Sequence, residues 1–171
     1  MTMTLDREQV AIRILLVCMG NICRSPMAHG VVRARLLEAG LATRVALDSA
    51  GTHGYHAGAP PDERAQAAAQ RRGIDISDLR SRLVVDEDYA TFDLILAMDD
   101  ENIEALQAGA GPEQQHKIHL LMHWTLGEEG RSVPDPYYGG PIGFERVLDM
   151  VEEAAEGLLA RLRTELSEPR R

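Results

Sequence analysis

One short segment of the chain brings together the residue types that carry out chemistry on a phosphate group. Cys18 and Arg24 are separated by five residues, and Ser25 follows the arginine directly. A cysteine thiolate is a strong nucleophile, and a guanidinium can form two parallel hydrogen bonds with phosphate oxygens. A buried strand cysteine followed by an ordinary helix cap is the alternative interpretation. The spacing of the three residues favours a nucleophile placed beside an anion.

The residues between the cysteine and the arginine suit a loop that wraps around an anion. They are Met19, Gly20, Asn21, Ile22 and Cys23. Gly20 lets the backbone approach a ligand closely, and Asn21 tolerates left-handed backbone angles. Such a loop can direct several N–H groups at one centre, and a following helix adds the positive end of its dipole. The same surroundings favour a thiolate at Cys18, and we expect the Ser25 hydroxyl to accept from the helix backbone and donate to the sulfur.

Cleavage of a phosphate ester also requires a proton for the leaving oxygen, so we expect a general acid elsewhere in the chain. The best candidate is Asp135, in the stretch VPDPYYGG, where a proline on each side stiffens the backbone. Tyr137 and Tyr138 follow it and could form the walls of a slot for an aromatic ring. Taken alone, the stretch could also be a surface turn with two half-buried tyrosines.

A strand and a helix must position the cysteine loop. Residues 14–18 form a continuous apolar run, which predicts a strand that is buried on both faces and ends at Cys18. Ser25 and Pro26 predict the start of a helix with Ser25 as its N-cap, and Gly40 predicts its end.

Strands and helices alternate along the rest of the chain. Further strands are predicted over residues 45–49, 92–98 and 118–121, and helices near Asp62, after Asp99 or Asp100, and over an apolar stripe from Phe144 to Leu162. The alternation predicts a doubly wound α/β fold, with a mostly four-stranded parallel sheet in the order 2-1-3-4 and helices on both faces. In such folds ligands bind beyond the carboxyl ends of the strands, which is where Cys18 lies.

Length and composition limit the classes of function. The 171 residues fit one domain, and we expect a loose N-terminal extension at 1–11, a single domain over 12–166 and a C-terminal tail at 167–171. The net charge of −9, from 27 acidic and 18 basic residues, argues against broad binding to nucleic acids or anionic membranes. No apolar run approaches the roughly 20 residues that span a bilayer, so we expect no membrane insertion. Two cysteines with four residues between them cannot form a disulfide framework, and a cytoplasmic protein is expected.

Taken together, the motifs resemble those of low-molecular-weight protein tyrosine phosphatases. The similarity runs from about Arg13 to about Leu162 and includes VCMGNICRSPMA, DSAGT, PPDERA, FDLILAMDDEN and DPYYGG. The resemblance implies hydrolysis of phosphotyrosine through a covalent phosphocysteine, with no metal and no cofactor. It implies a phosphotyrosine protein as substrate, for example a bacterial tyrosine kinase, and a monomer or weak dimer.

The resemblance also assigns a role to each site residue. Cys18 would be the nucleophile, Arg24 the phosphate clamp, and Ser25 the hydroxyl that eases formation and departure of the thiolate. Asn21 would hold the shape of the loop, with Ser49 of DSAGT behind it. The Asp135 carboxyl would protonate the leaving tyrosine and then activate water. The entrance would be flanked by Tyr55, His56, Tyr137 and Tyr138.

Leu79 and Cys23 bear on how the cysteine loop is supported and on its redox chemistry. Bacterial family members often read GHRARQ where this chain reads DLRSRL, so Leu79 replaces a histidine that braces the loop asparagine. We therefore expect the support of the loop to differ. Cys23 has two compatible interpretations: a partner for a reversible disulfide with Cys18, as the family resemblance implies, or a small buried side chain that supports the loop.

Other functions on a similar loop stay open. A thiol-dependent arsenate reductase is one, although the version that uses further cysteines late in the chain is disfavoured because none follows Cys23. A protein arginine phosphatase is another, but Ile22 stands where that branch has threonine. A non-catalytic phosphate-binding module would be expected to lack Cys18 or Asp135. A zinc site at His116, His119 and His123 is disfavoured because His119 lies in a predicted strand.

Overall fold

The computed structural model describes residues 10–167 of the chain. Its strands are β1 (Ile12–Cys18), β2 (Val45–Gly51), β3 (Leu94–Ala97) and β4 (Ile118–Leu120). Its α-helices are α1 (Arg24–Glu38), α2 (Glu63–Gln70), α3 (Asp86–Thr91), α4 (Asp100–Gly109) and α5 (Pro141–Ser167), with short 3₁₀ helices at Pro112–Lys117 and Leu121–Trp124. The extension predicted at 1–11 and the tail predicted at 167–171 fall almost entirely outside the described residues.

The four strands form one parallel sheet in the order β2-β1-β3-β4, which confirms the predicted fold and strand order. Alternate side chains of the central strand β1 point to opposite faces, as the pleat requires. Ile14, Leu16 and Cys18 pack into a core with α1, α2 and α5, and Leu15 and Val17 pack into a second core with α3 and α4. Helices therefore cover both faces of the sheet.

The long helix α5 supplies much of the larger core. Its buried positions recur at helical spacing and include Phe144, Val147, Leu148, Val151, Leu158 and Leu162. Each fully buried side chain of this size stabilises the fold by about 2 kcal/mol. Because α5 packs against α1, it fixes the helix that begins at the cysteine loop. No helix among residues 10–167 combines the length and the apolar character needed to cross a membrane.

The ends of three helices decide where the site residues lie. Asp62 is the N-cap of α2, the helix predicted to start near it. Of the two predicted caps Asp99 and Asp100, Asp99 is the N-cap of α4 and accepts a hydrogen bond from the backbone N–H of Asn102 at 2.8 Å. The prediction that Ser25 is the N-cap of α1 is wrong. The helix begins two residues earlier than predicted, at Arg24, with Cys23 at the cap position, because the Ser25 hydroxyl is engaged by other partners inside the loop.

Candidate active site

A cavity of about 240 Å³ lies beyond the carboxyl end of β1, at the edge of the sheet where the topology predicts a ligand. It is lined by Cys18, Met19, Gly20, Ile22, Cys23, Arg24, Tyr55, His56, Asp135, Tyr137 and Tyr138. All of these were predicted from the sequence as site residues. The other three predicted residues, Asn21, Ser25 and Ser49, are buried.

The Cys18 sulfur lies at the bottom of the cavity, with only 2% of the residue exposed. The backbone N–H of Asn21 donates to Sγ at 3.2 Å, and Ser25 Oγ lies 3.1 Å from Sγ. Asn21 Nδ2 donates to the same hydroxyl at 2.8 Å. Because the Ser25 oxygen accepts from this amide, its single proton is free to point at the sulfur. The sulfur therefore has two donors facing it, which favours the thiolate.

Asn21 holds the turn of the loop in an unusual backbone conformation. Its φ is 58°, in the left-handed region that asparagine tolerates. Its Oδ1 accepts from the backbone N–H of Arg82 at 3.0 Å, and Ser81 Oγ donates to the carbonyl of Gly20 at 3.0 Å. Residues 81 and 82 thus brace the loop, while Leu79 packs against the hydrophobic core. Loop support is supplied without the histidine, as the departure from the family pattern led us to expect.

The hydroxyl of Ser49 has a different partner from the one that the resemblance implies. Its Oγ lies 3.1 Å from Nδ1 of His29, a histidine of α1 that is 6% exposed. Burial lowers the pKa of His29 to about 4, so the ring is neutral at pH 7. This pair joins β2 to α1 next to the cysteine loop.

Arg24 is buried and held by two acceptors. Its Nη1 donates to Asp99 Oδ2 at 2.6 Å and to the carbonyl of Val133 at 3.0 Å. Burial alone would lower the pKa of Arg24, but the negative charges of Cys18, Asp99 and Asp135 raise it above its ordinary value. The guanidinium is thus a fixed positive charge near the sulfur. The sequence predicted Asp99 only as a helix cap, and its second role as the anchor of Arg24 was not predicted.

Asp135 lines the same cavity as the arginine and lies close to it. Its Oδ2 lies 3.7 Å from Arg24 Nη2, and its Oδ1 accepts from the backbone N–H of Tyr137 at 3.0 Å. The segment before it is tied to the sheet, because the Val133 N–H donates to the carbonyl of Met98 at 2.7 Å. The Asp135 carboxyl can therefore reach a leaving group bound above the sulfur.

Aromatic side chains form the rim of the cavity. Tyr137 is in edge contact with Tyr138, at 4.9 Å between ring centroids, and its ring lies 6.4 Å from that of His56. Tyr55 also lines the cavity and is 78% exposed, and its ring stacks on His53 at 5.2 Å. The rim offers flat apolar walls above the sulfur.

Cys23 differs from Cys18 in its surroundings. It lines the cavity but is 4% exposed. Burial, followed by the negative charges of Asp62, Cys18 and Asp135, raises the pKa of its thiol well above the ordinary value. Cys23 is therefore a protonated thiol beside the nucleophile, and both cysteines are free.

The three histidines that could suggest zinc do not form one site. His119 lies in β4 and His123 in the 3₁₀ helix that follows, with 4.7 Å between their ring centroids. Within residues 10–167, no group of three or more His, Cys, Asp or Glu side chains is arranged to hold a metal ion.

Comparisons with known proteins agree with the geometry. The family described as low molecular weight phosphotyrosine protein phosphatase matches residues 13–168. The chain is 43% identical over 157 residues to a low molecular weight protein-tyrosine-phosphatase of Streptomyces coelicolor, covering 90% of this chain and 95% of that one. It is 40% identical over 154 residues to the phosphatase YfkJ of Bacillus subtilis, covering 90% of this chain and 97% of that one.

Solved structures show the same fold. A crystal structure of a protein tyrosine phosphatase from Entamoeba histolytica, with Hepes in its active site, superposes with a TM-score of 0.86 at 37% identity, covering 91% of this chain and 99% of that one. The crystal structure of YfkJ superposes with a TM-score of 0.85 at 39% identity, covering 91% and 96% of the two chains.

Proposed function

The chain belongs to the low molecular weight phosphotyrosine protein phosphatase family, and we propose that it hydrolyses phosphotyrosine in proteins through a covalent phosphocysteine at Cys18. One observation carries the proposal: the sulfur, the buried guanidinium of Arg24 and the carboxyl of Asp135 line a single cavity of about 240 Å³. The sulfur is the nucleophile, the guanidinium binds the phosphate, and the carboxyl handles the proton.

In the first step, the Cys18 thiolate attacks phosphorus in line with the ester oxygen. An S–P bond forms as the P–O bond to tyrosine breaks, and Asp135 donates its proton to the leaving phenolate. Arg24 and the N–H groups of the loop hold the other phosphate oxygens as charge shifts. Because Asp99 already fixes Arg24 at 2.6 Å, the clamp needs little reorganisation.

In the second step, water attacks the phosphorus of the phosphocysteine. The Asp135 carboxylate accepts a proton from this water, the S–P bond breaks, and inorganic phosphate leaves. The Ser25 hydroxyl, 3.1 Å from the sulfur, stabilises the departing thiolate by donating its hydrogen bond. The site then returns to its starting protonation state.

The walls of the cavity favour an aryl phosphate over a phosphoguanidine. Ile22 offers an apolar side chain to the bound group, and Tyr55 and Tyr137 stand above it. A phenyl ring gains from contact with such surfaces, whereas the side chain of Ile22 offers no acceptor to a guanidinium that gives up hydrogen bonds to water.

A direct comparison of substrates tests the function. Purified protein is assayed with a phosphotyrosine peptide, a matched phosphoarginine peptide, and arsenate with a small thiol. We expect phosphate release from the first at a rate far above the others. Cys18→Ser should abolish phosphate release but should still bind inorganic phosphate. Cys23→Ser should still release phosphate, because the Cys23 thiol of the wild type stays protonated and does not act as the nucleophile. Turnover by the Cys18→Ser protein would contradict the covalent mechanism.

The role of Asp135 is tested by varying the leaving group. Asp135→Asn cannot donate or accept the transferred proton. We expect a loss of about 10²- to 10⁴-fold in kcat for phosphotyrosine, and a much smaller loss for an aryl phosphate whose phenol is strongly acidic. An equal loss for both substrates would show that Asp135 is not the acid.

A further inference from the structure

A second cavity, of about 530 Å³, adjoins the candidate active site. Met19 lines both cavities and is 37% exposed, so its side chain forms the ridge between them. The other residues that line the second cavity are Thr52, His53, Glu101, Asn102, Glu104 and Ala105. We refer to this cavity as the acidic groove.

The charge of the acidic groove comes from helix α4. Glu101 and Glu104 are three residues apart on the helix, so they share one face, and both are exposed. Among residues 10–167 neither carboxylate has an ion-pair partner, and no Lys or Arg lines the groove. His53 is its only nitrogen base, and its Nδ1 is 3.2 Å from Thr52 Oγ1. The groove therefore presents two uncompensated negative charges next to the phosphate site.

An amide N–H₂ group in the same groove has no hydrogen-bond acceptor within the described part of the chain and is open to the groove. Asn102 is only 2% exposed, and its Oδ1 accepts from the backbone N–H of Asp99 at 3.3 Å. Within the described part of the chain, its Nδ2 donates to no protein atom. Although the residue is almost fully buried, Nδ2 is not among the sealed unpartnered side-chain atoms of the described residues, so it remains accessible from the groove that Asn102 lines. Since Asn102 lines the groove, this donor suits an incoming carbonyl oxygen, such as that of a peptide backbone.

The groove has a fixed position relative to the phosphate clamp. Asp99, the N-cap of α4, binds Arg24 directly at 2.6 Å. Glu101 and Glu104 follow within the first turns of the same helix, about 3 to 8 Å further along its axis. An extended peptide advances about 3.3 Å per residue. A side chain within about three residues of a phosphotyrosine bound at Cys18 can therefore reach the groove.

We propose that the acidic groove selects phosphotyrosine substrates with a lysine or arginine within about three residues of the phosphotyrosine. The basic side chain would lie across Met19 and pair with Glu101 and Glu104, while Asn102 donates to the peptide backbone. The inference rests on the proposed function and names its substrate class. The net charge of −9 acts in the same direction, because it repels acidic substrates and attracts basic ones before contact.

The test compares ratios of kcat/KM within each enzyme preparation. The probes are three phosphotyrosine peptides that differ only in flanking residues, which are Lys, Gln or Glu, and a small aryl phosphate that cannot reach the groove. We expect the wild type to prefer the Lys peptide over the Gln peptide by about three- to tenfold at low salt. The preference should fade in about 0.5 M salt, because ions screen exposed charges.

Two double variants with the same net charge distinguish the effect of the acidic groove from that of the protein's overall electrostatic field. Glu101→Gln/Glu104→Gln should bring the Lys-to-Gln ratio close to one. Glu38→Gln/Glu113→Gln removes two exposed charges at the opposite end of the strands and should keep the preference. Because each ratio comes from one preparation, a partly folded variant does not distort it.

Three outcomes would overturn the proposal. They are equal rates of the wild type on the Lys and Gln peptides, a preference retained in the groove variant, and equal losses in the two variants. Hydrolysis of the aryl phosphate without any hydrolysis of the three peptides would instead count against phosphotyrosine proteins as substrates. The experiment thus distinguishes a failure of the proposed selectivity of the groove from a failure of the proposed function.

Discussion

At the scale of single residues, the chemistry of the sulfur depends on a chain of three hydrogen-bonding groups. Asn21 Nδ2 donates to Ser25 Oγ at 2.8 Å, and this hydroxyl lies 3.1 Å from Cys18 Sγ. The amide thus orients the hydroxyl proton towards the sulfur. In the proposed mechanism, the same proton would stabilise the thiolate before attack and again when the S–P bond breaks.

Removing the Ser25 hydroxyl should slow the second step of the proposed reaction, which is hydrolysis of the phosphocysteine. In Ser25→Ala the departing thiolate loses a donor worth about 1.5–3 kcal/mol, so we expect kcat for a phosphotyrosine peptide to fall by about 10- to 100-fold. The phosphocysteine should accumulate, which stopped-flow measurement would record as a burst of released tyrosine peptide. Ser77→Ala removes an exposed hydroxyl that binds Asp75 and should behave as the wild type. Loss of activity without a burst would place Ser25 in the first step only.

The sequence predicted the residues that lie in and around the cavity but not those that hold them. Cys18, Arg24 and Ser25 were identified because they lie in one short motif. The contact of Asn21 with the backbone of Arg82, and that of Arg24 with Asp99, join segments separated by 61 and 75 positions. Spacing along the chain contains no information about such contacts, so only the folded structure reveals them.

At the scale of elements, the loop that carries Asp135 is held from two sides. The Val133 N–H and C=O groups bind Met98 and Arg24. After the aspartate, the guanidinium of Arg64 lies over the rings of Tyr137 and Phe144, at 5.3 and 4.9 Å from their centroids. Arg64 is in the first turn of α2, where Asp62 pairs with it at 3.0 Å. Helix α2 thus positions the loop that carries Asp135 against α5.

Substitution of Arg64 should loosen this loop. In Arg64→Ala the stacking over Tyr137 is lost, so Asp135 should spend less time in reach of the leaving oxygen. We expect kcat for phosphotyrosine to fall about two- to tenfold, with a smaller change for an aryl phosphate that needs no acid. Arg64→Lys keeps the charge without the flat guanidinium, so its kcat for phosphotyrosine should lie between those of the wild type and Arg64→Ala. Equal changes for both substrates would show that Arg64 does not act through Asp135.

Element types were predicted more accurately than element ends. Strand β3 is Leu94–Ala97 rather than 92–98, because Phe92 ends helix α3 and Asp93 uses its carboxylate to accept from the backbone of Arg13. Strand β2 extends to Gly51, two residues beyond its predicted end, because its pairing with β1 continues as far as Cys18. The ends follow from cross-strand and capping contacts, which apolar patterns do not encode.

At the scale of the whole molecule, burial of one ionisable group links the fold to pH. His29 of α1 is 6% exposed and bonds Ser49 of β2. Burial, followed by the nearby positive charge of Arg33, lowers the pKa of His29; Asp48 and Asp78 partly offset these effects, and the resulting pKa is about 4. Protonation of this ring would place an unsolvated charge between the helix and the sheet.

Stability should therefore fall as the pH falls from 6.5 towards 4. In the unfolded chain His29 binds a proton below its ordinary pKa of 6.5, whereas the folded protein resists protonation until about 4. The unfolded state binds more protons in this window, so the free energy of unfolding decreases there by up to about 3 kcal/mol and is unaffected by this group above pH 6.5. Urea denaturation at several pH values would measure the decrease. His29→Gln can hydrogen-bond to Ser49 without titrating, and subtracting its curve cancels the carboxylates that titrate in both proteins. If the difference between the two curves is flat from pH 7 to pH 4, His29 is not the group that couples folding to acidity.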